Sequence, residues 1–289
     1  MTSKITEVQI LTEVDRGGPD AITLRAHIDE TFTIGPKVHG GTLQMVVAKA
    51  ARTALTALTA LTPSDDPKVA DASAAMIPVA IASDYLTAPD AADIDFAITV
   101  RKRGRTVTVL HVDAVQQGRT VVSSSVTMAR PDSGTPHHSG PNVLDGTPVE
   151  PPSTGIPLDG SPIAEVNHLG AAIDLVLDPE TFPIVRGETG EPLVRGWIRP
   201  KDVDPDEYFS VLVCDISPPV VMNLALFGWA PTVQLTTYVR RHPAPGWLRF
   251  AATSTEVGPG MFEEDHLVVD STGTVVAQSR QLALIPAGR

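Results

Sequence analysis

The chain has 289 residues, a length that fits about two domains or one large one. Its 34 acidic and 22 basic side chains give a net charge of −12, and only 4% of its residues are aromatic, so both charge and stacking groups argue against a nucleic-acid-binding protein. A single cysteine, Cys214, rules out a disulfide framework, and no apolar stretch is long enough for a membrane span or has the pattern of a signal peptide. We therefore expect a cytoplasmic globular protein.

A segment rich in Pro, Gly, Ser and Asp occupies residues 131–162 and shows neither helical nor strand periodicity. This is the composition of a linker. It predicts three parts: an N-terminal domain at 1–130, a linker at 131–162 and a C-terminal domain at 163–289.

In the first part, two strand-like runs joined by turn residues are followed by a pattern of apolar residues with helical spacing and then by four more runs. The predicted strands are 5–14, 21–32, 74–86, 94–101, 106–116 and 120–129, and the predicted helix is 42–61. The second part repeats this plan. Its predicted strands are 171–177, 193–198, 209–214, 232–240, 247–255, 266–269 and 274–285, and its predicted helix is 218–227.

The last hairpins of the two parts correspond closely. Residues 118–131 and 273–286 both begin with Gly and end with Pro, at the same separation, around similar strand-like runs. Such a match predicts an internal repeat. The predicted fold class is α+β, with two antiparallel sheets that each wrap a central helix.

This arrangement resembles the hotdog fold, and two such units in one chain resemble the double-hotdog acyl-CoA thioesterases of the thioesterase II type. The resemblance rests on short motifs in a fixed order through both halves. They are Val38-His39-Gly40-Gly41, Asp84-Tyr85-Leu86, Arg103-Gly104-Arg105, Cys214-Asp215, Pro231-Thr232, Arg240-Arg241, Phe262-Glu263-Glu264-Asp265 and the run 276–281.

The resemblance implies hydrolysis of fatty acyl-CoA, with coenzyme A as part of the substrate and no separate cofactor. It also implies that Asp215, Thr232 and Gln281 hold the attacking water. Because a double hotdog resembles a fused dimer, further assembly into a homo-oligomer stays open.

Asp215 has two interpretations from sequence alone. It follows an apolar run and precedes the predicted helix at 218–227, so it is either a helix-cap residue or a carboxylate that takes a proton from water. Ser217 could cap that helix instead, which would leave Asp215 free for chemistry.

Thr232 opens a strand, where threonine is common, so its identity by itself is weak support. Gln281 is more informative, since it is an amide among Leu282, Ala283 and Leu284. The matched hairpins align it with Val126 of the first half, or with Thr127 after a one-residue slip. Because neither carries an amide, we expect one chemical site per chain.

His39, Gly40 and Gly41 stand immediately before the first predicted helix. Glycines there would let a substrate approach backbone N–H groups that stabilise an oxyanion, although a simple tight turn is an equal alternative. We expect no metal, because no histidine pair has metal-ligand spacing.

Two other functions stay open. One is a non-catalytic acyl-CoA-binding protein on the same fold. The other is a hotdog hydratase or dehydratase, which usually requires an Asp/His pair. No histidine is suitably spaced after Asp215, where His242 and His266 are the nearest. Nucleophile-elbow, P-loop and dinucleotide-binding motifs are absent from the sequence.

Overall fold

The computed structural model describes residues 2–61 and 73–286. The first half contains helices α1 (Lys4–Glu7) and α2 (Gly40–Leu61) and strands β1 (Thr12–Asp15), β2 (Ala21–Ile28), β3 (Thr33–Ile34), β4 (Lys37–Val38), β5 (Ile77–Tyr85), β6 (Ala92–Lys102), β7 (Val107–Gln116) and β8 (Arg119–Ala129). The second half contains helix α3 (Glu207–Val213) and strands β9 (Ile156–Pro157), β10 (Ile173–Leu177), β11 (Leu193–Pro200), β12 (Thr232–Val239), β13 (Leu248–Thr253), β14 (Met261–Val269) and β15 (Val275–Leu284). Short 3-10 helices lie at Glu30–Phe32, Pro162–Glu165, His168–Ala171, Pro183–Arg186 and Val220–Leu224.

The main sheet is continuous, whereas the sequence predicted two separate sheets. Its 13 strands run in the order β1-β2-β6-β7-β8-β5-β12-β15-β14-β13-β11-β10-β9. The two halves meet where β5 pairs antiparallel with β12, from Gln234 opposite Asp84 to Tyr238 opposite Ala80. This pairing satisfies backbone N–H and C=O groups that two separate edge strands would leave without partners.

Helix α2 packs against this sheet, and its position in the chain confirms the helix predicted from the spacing at 42–61. Most of its side chains are buried, and the buried ones lie on several faces of the helix. They include Met45, Val47, Ala50 and Leu58. It packs against β2, β5, β6 and α3. One cluster of buried apolar side chains extends from Ile5 to Ala283, so both halves share a core.

The prediction for the helix of the second half was wrong. The apolar run 209–214, predicted as a strand, lies mostly in α3, and the predicted helix 218–227 is only the 3-10 helix Val220–Leu224. Asp206 caps α3 by accepting a hydrogen bond from the backbone N–H of Phe209, 2.7 Å away. A helix that is buried on all sides reads as an uninterrupted apolar run, and such a run cannot be distinguished from a buried strand by periodicity.

The first predicted strand, 5–14, is also different in the structure, because it is divided between α1 and β1. Ile5 and Val8 are both buried, and their spacing of three is helical. The matched hairpins are confirmed: Gly118 and Gly273 both have positive φ, +74° and +82°, and lie one and two residues before β8 and β15.

The segment 131–162 mostly lacks regular structure, but it packs against the second half. Its strand β9 pairs with β10, and the Trp197 indole N–H donates to the Pro148 carbonyl at 2.8 Å. Leu144 and Leu158 are buried. The domain boundaries at 130 and 163 stay a prediction. No helix in the described ranges is long and apolar enough to cross a membrane.

Candidate active site

Asp215 lies two residues beyond the end of α3, at the point where the second half meets the start of α2. Two hydrogen bonds fix its backbone. The Ser279 hydroxyl on β15 donates to the Cys214 carbonyl at 2.7 Å, and the His39 Nε2–H donates to the Asp215 carbonyl at 2.8 Å. Residues from both halves therefore position this carboxylate.

Gly40 and Gly41 allow this close approach. A Cβ atom built on Gly40 would lie 2.7 Å from Asp215 Oδ2, and one built on Gly41 would lie 2.6 Å from the Leu212 carbonyl oxygen. Neither glycine has a positive φ, so the backbone conformation does not require glycine at either position. The backbone of the second half occupies the space that side chains would take.

The first amides of α2 point toward this junction. The Gly41 N–H hydrogen-bonds to the Asp215 carboxylate, and the Thr42 N–H donates to His39 Nδ1 at 3.2 Å. The Leu43 N–H donates to the His39 carbonyl. Gly40 is held on its other side, where the Tyr85 hydroxyl donates to its carbonyl at 2.9 Å. Within the described chain, the Gly40 N–H is the amide of this turn without an acceptor.

Burial sets the charges at the junction. The Asp215 side chain is 10% exposed, and desolvation raises the pKa of its carboxyl to about 7, partly opposed by the Gly41 hydrogen bond. Burial lowers the pKa of His39 to about 4. His39 Nε2 lies 3.9 Å from Asp215 Oδ2, but the imidazole is neutral at neutral pH, so the two do not form an ion pair. The carboxyl is poised to gain or lose a proton near neutrality.

The structure brings Thr232 and Gln281 together. Thr232 opens β12, and its hydroxyl donates to Gln281 Oε1 on β15 at 3.2 Å. Gln281 is buried, whereas Thr232 is half-buried. Among the described residues no direct hydrogen bond joins either of them to Asp215. Their shared role with Asp215 stays a prediction.

Ser217, Glu264 and His266 form a further polar group beside these residues, and the sequence analysis assigned none of the three a role in the site. Ser217 does not cap a helix; its Oγ lies 2.9 Å from Glu264 Oε1 and 3.1 Å from His266 Nε2. Glu264 also accepts from the Val220 backbone N–H at 3.0 Å. The alternation of β14, in which Phe262, Glu264 and His266 share the buried face, was the signal that could have identified them.

Cys214 is fully buried, and burial raises the pKa of its thiol, so it is a core residue. In the part of the chain that the structure describes, no three His, Cys, Asp or Glu side chains are grouped as a metal site. Two arginines of the motifs that carry the family resemblance have acidic partners: Arg103 pairs with Asp20, and Arg240 pairs with Asp132.

Comparison with known protein families assigns both halves. Residues 28–129 match the acyl-CoA thioesterase N-terminal domain, and residues 145–285 match the acyl-CoA thioesterase C-terminal domain. The chain belongs to the acyl-CoA thioesterase family. Uncharacterized proteins of Mycobacterium tuberculosis and Mycobacterium bovis are 38% identical to it over 94% of each chain.

Solved structures agree with this assignment of family and fold. A candidate thioesterase II of Thermobifida fusca superposes with a TM-score of 0.78 at 26% identity, covering 100% of this chain and 98% of that one. A hotdog-fold protein of Alicyclobacillus acidocaldarius gives a TM-score of 0.73 at 17% identity over 100% of both chains. The acyl-CoA thioesterase II TesB2 of Mycobacterium marinum gives 0.61 at 18% identity, covering 99% of this chain and 98% of that one. The latter two similarities show the hotdog fold.

Proposed function

We propose that this protein hydrolyses fatty acyl-CoA thioesters with a water molecule activated by Asp215. The observation that carries the proposal is the buried Asp215 carboxyl, with its pKa raised to about 7, against the Gly-Gly start of α2. At neutral pH a large fraction of this carboxyl is ionised, and its basicity is much greater than that of an exposed aspartate. Membership of the acyl-CoA thioesterase family supports the choice of substrate.

In the proposed reaction, the water oxygen bonds to the thioester carbon while Asp215 takes one water proton. The electron pair of the carbonyl π bond moves to the carbonyl oxygen. When this oxyanion collapses, the C–S bond breaks and the thiolate of coenzyme A leaves with the proton from Asp215. The products are a carboxylic acid and coenzyme A, so atoms and protons balance.

The other predicted residues have supporting roles. Thr232 and Gln281, which are hydrogen-bonded to each other, would orient the water. The Gly40 N–H is a candidate donor to the oxyanion, since hydrogen bonds aimed at developing charge accelerate acyl transfer. Gly41 has a different role, because its N–H already binds the Asp215 carboxylate. His39 would hold the Asp215 backbone.

The hydratase or dehydratase alternative gains one specific observation. His39 of the first half places a histidine beside Asp215, with Nε2 3.9 Å from Asp215 Oδ2. However, its Nε2–H donates to the Asp215 carbonyl and its Nδ1 accepts from Thr42. Both nitrogens are engaged and the pKa is about 4, so His39 is poorly suited to proton transfer at neutral pH. Hydrolysis is therefore the better-supported reaction.

The test is release of free thiol from acyl-CoAs of increasing chain length, with 2-enoyl-CoA hydration measured in parallel. Asp215→Asn should lower kcat by about 10²–10⁴-fold, because the amide keeps the shape but cannot take a proton. Thr232→Ala and Gln281→Ala should lose less. Asp84→Asn changes an exposed carboxylate on β5 and serves as the matched control.

Hydration of enoyl-CoA without thiol release would favour the hydratase. Binding of acyl-CoA without either reaction would favour a binding protein. A kcat for Asp215→Asn within about threefold of wild type would show that Asp215 is not the base.

A further inference from the structure

Ser217, Glu264 and His266 form a buried polar cluster that the proposed reaction does not use. The Glu264 and His266 side chains are almost fully buried, at 2% and 0% exposure, whereas Ser217 is half-buried. Of the three, Ser217 is therefore the one that a ligand could reach.

The fold itself does not require polar groups at these positions. Glu264 lies opposite Gln281 and His266 lies opposite Ser279 in the pairing of β14 with β15. The matched hairpins place Val126 and Ser124 at the positions of Gln281 and Ser279. The residues opposite those two in the first half are Leu110 and Val112, both buried and apolar. Burying a carboxyl and an imidazole costs free energy that apolar side chains would not, which points to a functional reason.

The cluster adjoins the candidate catalytic residues. Glu264 is the cross-strand neighbour of Gln281, and Ser217 is two residues beyond Asp215. Burial and the charge of Asp215 raise the pKa of Glu264 to about 8, and burial lowers the pKa of His266 to about 3, with smaller effects of Asp265 and His39. Both groups are therefore mainly uncharged at neutral pH. Tyr85 and Cys214, whose pKa values are raised by burial, also stay protonated.

These protonation states orient the Ser217 hydroxyl. Oε2 of Glu264 accepts from the Val220 N–H, so in the un-ionised acid the proton lies on Oε1, which is 2.9 Å from the Ser217 oxygen and can donate to it. Nδ1 of His266 is buried and has no hydrogen-bond partner within the described ranges. A buried N–H without an acceptor is rare, so the imidazole proton belongs on Nε2, which also faces Ser217. With both neighbours donating to its oxygen, the Ser217 hydrogen points away from them.

We propose that Ser217 is a further catalytic residue, whose hydroxyl donates a hydrogen bond to the carbonyl oxygen of the thioester as it becomes an oxyanion. This inference rests on the proposed function. Glu264 and His266 are positioning residues that act through Ser217. Ser217 is not a nucleophile, because a nucleophilic serine needs a histidine that accepts its proton while an acid holds Nδ1. Here the acid contacts the serine, and among the described residues Nδ1 has no partner.

The proposal predicts a pH-dependent switch. When Glu264 ionises, its Oε1 becomes an acceptor, and the Ser217 hydroxyl turns to donate to it. The oxyanion then loses its donor. In Glu264→Gln, the amide oxygen can accept from Val220 while the amide N–H donates to Ser217 at every pH. This variant keeps the arrangement of the un-ionised acid.

The experiment measures kcat and KM from pH about 6 to about 10 with the acyl-CoA that wild type hydrolyses fastest. Ser217→Ala should lower kcat by about 10²-fold with KM little changed, since an oxyanion donor acts mainly in the transition state. Wild type should lose kcat above pH about 8, and the pH profile of Glu264→Gln should not show that loss. Ser254→Ala, which removes a serine bonded to the half-buried Glu263 on β14, is the matched control.

Binding of two non-hydrolysable analogues provides a second measurement. One keeps the acyl carbonyl but replaces sulfur by methylene, and the other is a thioether without a carbonyl. Ser217→Ala should weaken binding of the ketone about tenfold and leave the thioether unchanged. Ser217→Thr, which retains the hydroxyl, should preserve the preference for the ketone over the thioether.

The outcomes separate the two proposals. If wild type releases thiol, two results would overturn the role of Ser217 without touching the proposed function. One is a kcat of Ser217→Ala within about threefold of wild type, and the other is a loss of kcat at alkaline pH that persists in Glu264→Gln. If wild type hydrolyses no acyl-CoA, the proposed function fails and the analogues decide. The contact between Ser217 and the carbonyl is then overturned if Ser217→Ala weakens binding of both analogues equally, or if wild type binds neither analogue. If Ser217→Ala does not fold, the pH profile of Glu264→Gln decides.

Discussion

Burial of Asp215 makes its carboxyl more basic and also makes the ionised carboxyl unfavourable for stability. Its carboxyl is buried between α3 and the start of α2, where water cannot solvate the charge well. The same desolvation that raises its basicity penalises the ionised form. We infer that the protein is less stable with Asp215 ionised than with a neutral group of the same shape.

Asp215→Asn should therefore stabilise the protein at alkaline pH. The folded-state pKa of Asp215 is raised to about 7 from 3.8, so the wild type loses stability as pH rises through this window and the variant does not. The difference in free energy of unfolding between Asp215→Asn and wild type should grow between pH about 4 and about 7, reach up to about 4 kcal/mol, and then stay level. Urea denaturation across this pH range measures it.

The control for this prediction is Asp84→Asn, which neutralises an exposed carboxylate and should show no comparable gap. His39, whose lowered pKa acts in the opposite direction, is present in both proteins and cancels in the difference. A gap that is constant with pH, or that narrows as pH rises, would contradict the proposed cost of ionising Asp215.

At the scale of elements, Gln44 joins α2 to the seam between the two halves, where β5 pairs with β12. Its Nε2 donates to Ser83 Oγ on β5 at 3.0 Å and to the Leu235 carbonyl on β12 at 3.1 Å. Its Oε1 accepts from the Thr237 hydroxyl at 2.6 Å. All of these groups are buried. One side chain thus satisfies polar groups of both strands at their junction.

Gln44→Leu should destabilise the protein by about 1–3 kcal/mol, because it leaves the Thr237 hydroxyl and the Leu235 carbonyl without this partner. Adding Thr237→Val should recover part of the loss, since removing both members of a buried pair is cheaper than removing one. Urea denaturation of the single and double variants measures both effects. Equal stability of Gln44→Leu and wild type would show that the seam does not depend on Gln44.

At the scale of the whole molecule, the two halves share a sheet, a core and the candidate site. The sheet is continuous through β5 and β12, the apolar core includes residues of both halves, and Asp215 of the second half meets Gly40 of the first. The two halves therefore stabilise each other, and we expect them to unfold together.

The three tryptophans, Trp197, Trp229 and Trp247, all belong to the second half and report on its unfolding. Leu110→Ala removes a fully buried side chain from β7 of the first half and should cost about 2–5 kcal/mol. If the halves are coupled, the urea midpoint from tryptophan fluorescence should fall as much as that from circular dichroism. Leu86→Ala, at an exposed leucine of the first half, should leave both midpoints unchanged. A fluorescence midpoint that does not respond to Leu110→Ala would show independent halves.

Local sequence patterns determined much of the architecture. The spacing of Leu43, Val46, Val47 and Leu58 predicted α2, and alternation with turn residues predicted most strands, because these signals depend only on the period of each element. The repeated Gly-to-Pro hairpins predicted two similar halves. The resemblance to thioesterases, carried by the order of short motifs, predicted the family.

The tertiary structure alone decided the rest. It showed that 209–214 lies mostly in a helix and not a strand, because a fully buried segment has no polar face to reveal its period. It also paired β5 with β12 into one sheet, a contact between residues about 150 positions apart. Finally, it brought His39, Gly40 and Asp215 together and placed Ser217 between Glu264 and His266. Neither the pairing of distant strands nor the burial of charges is encoded in a local window, since both arise only when the two halves pack together.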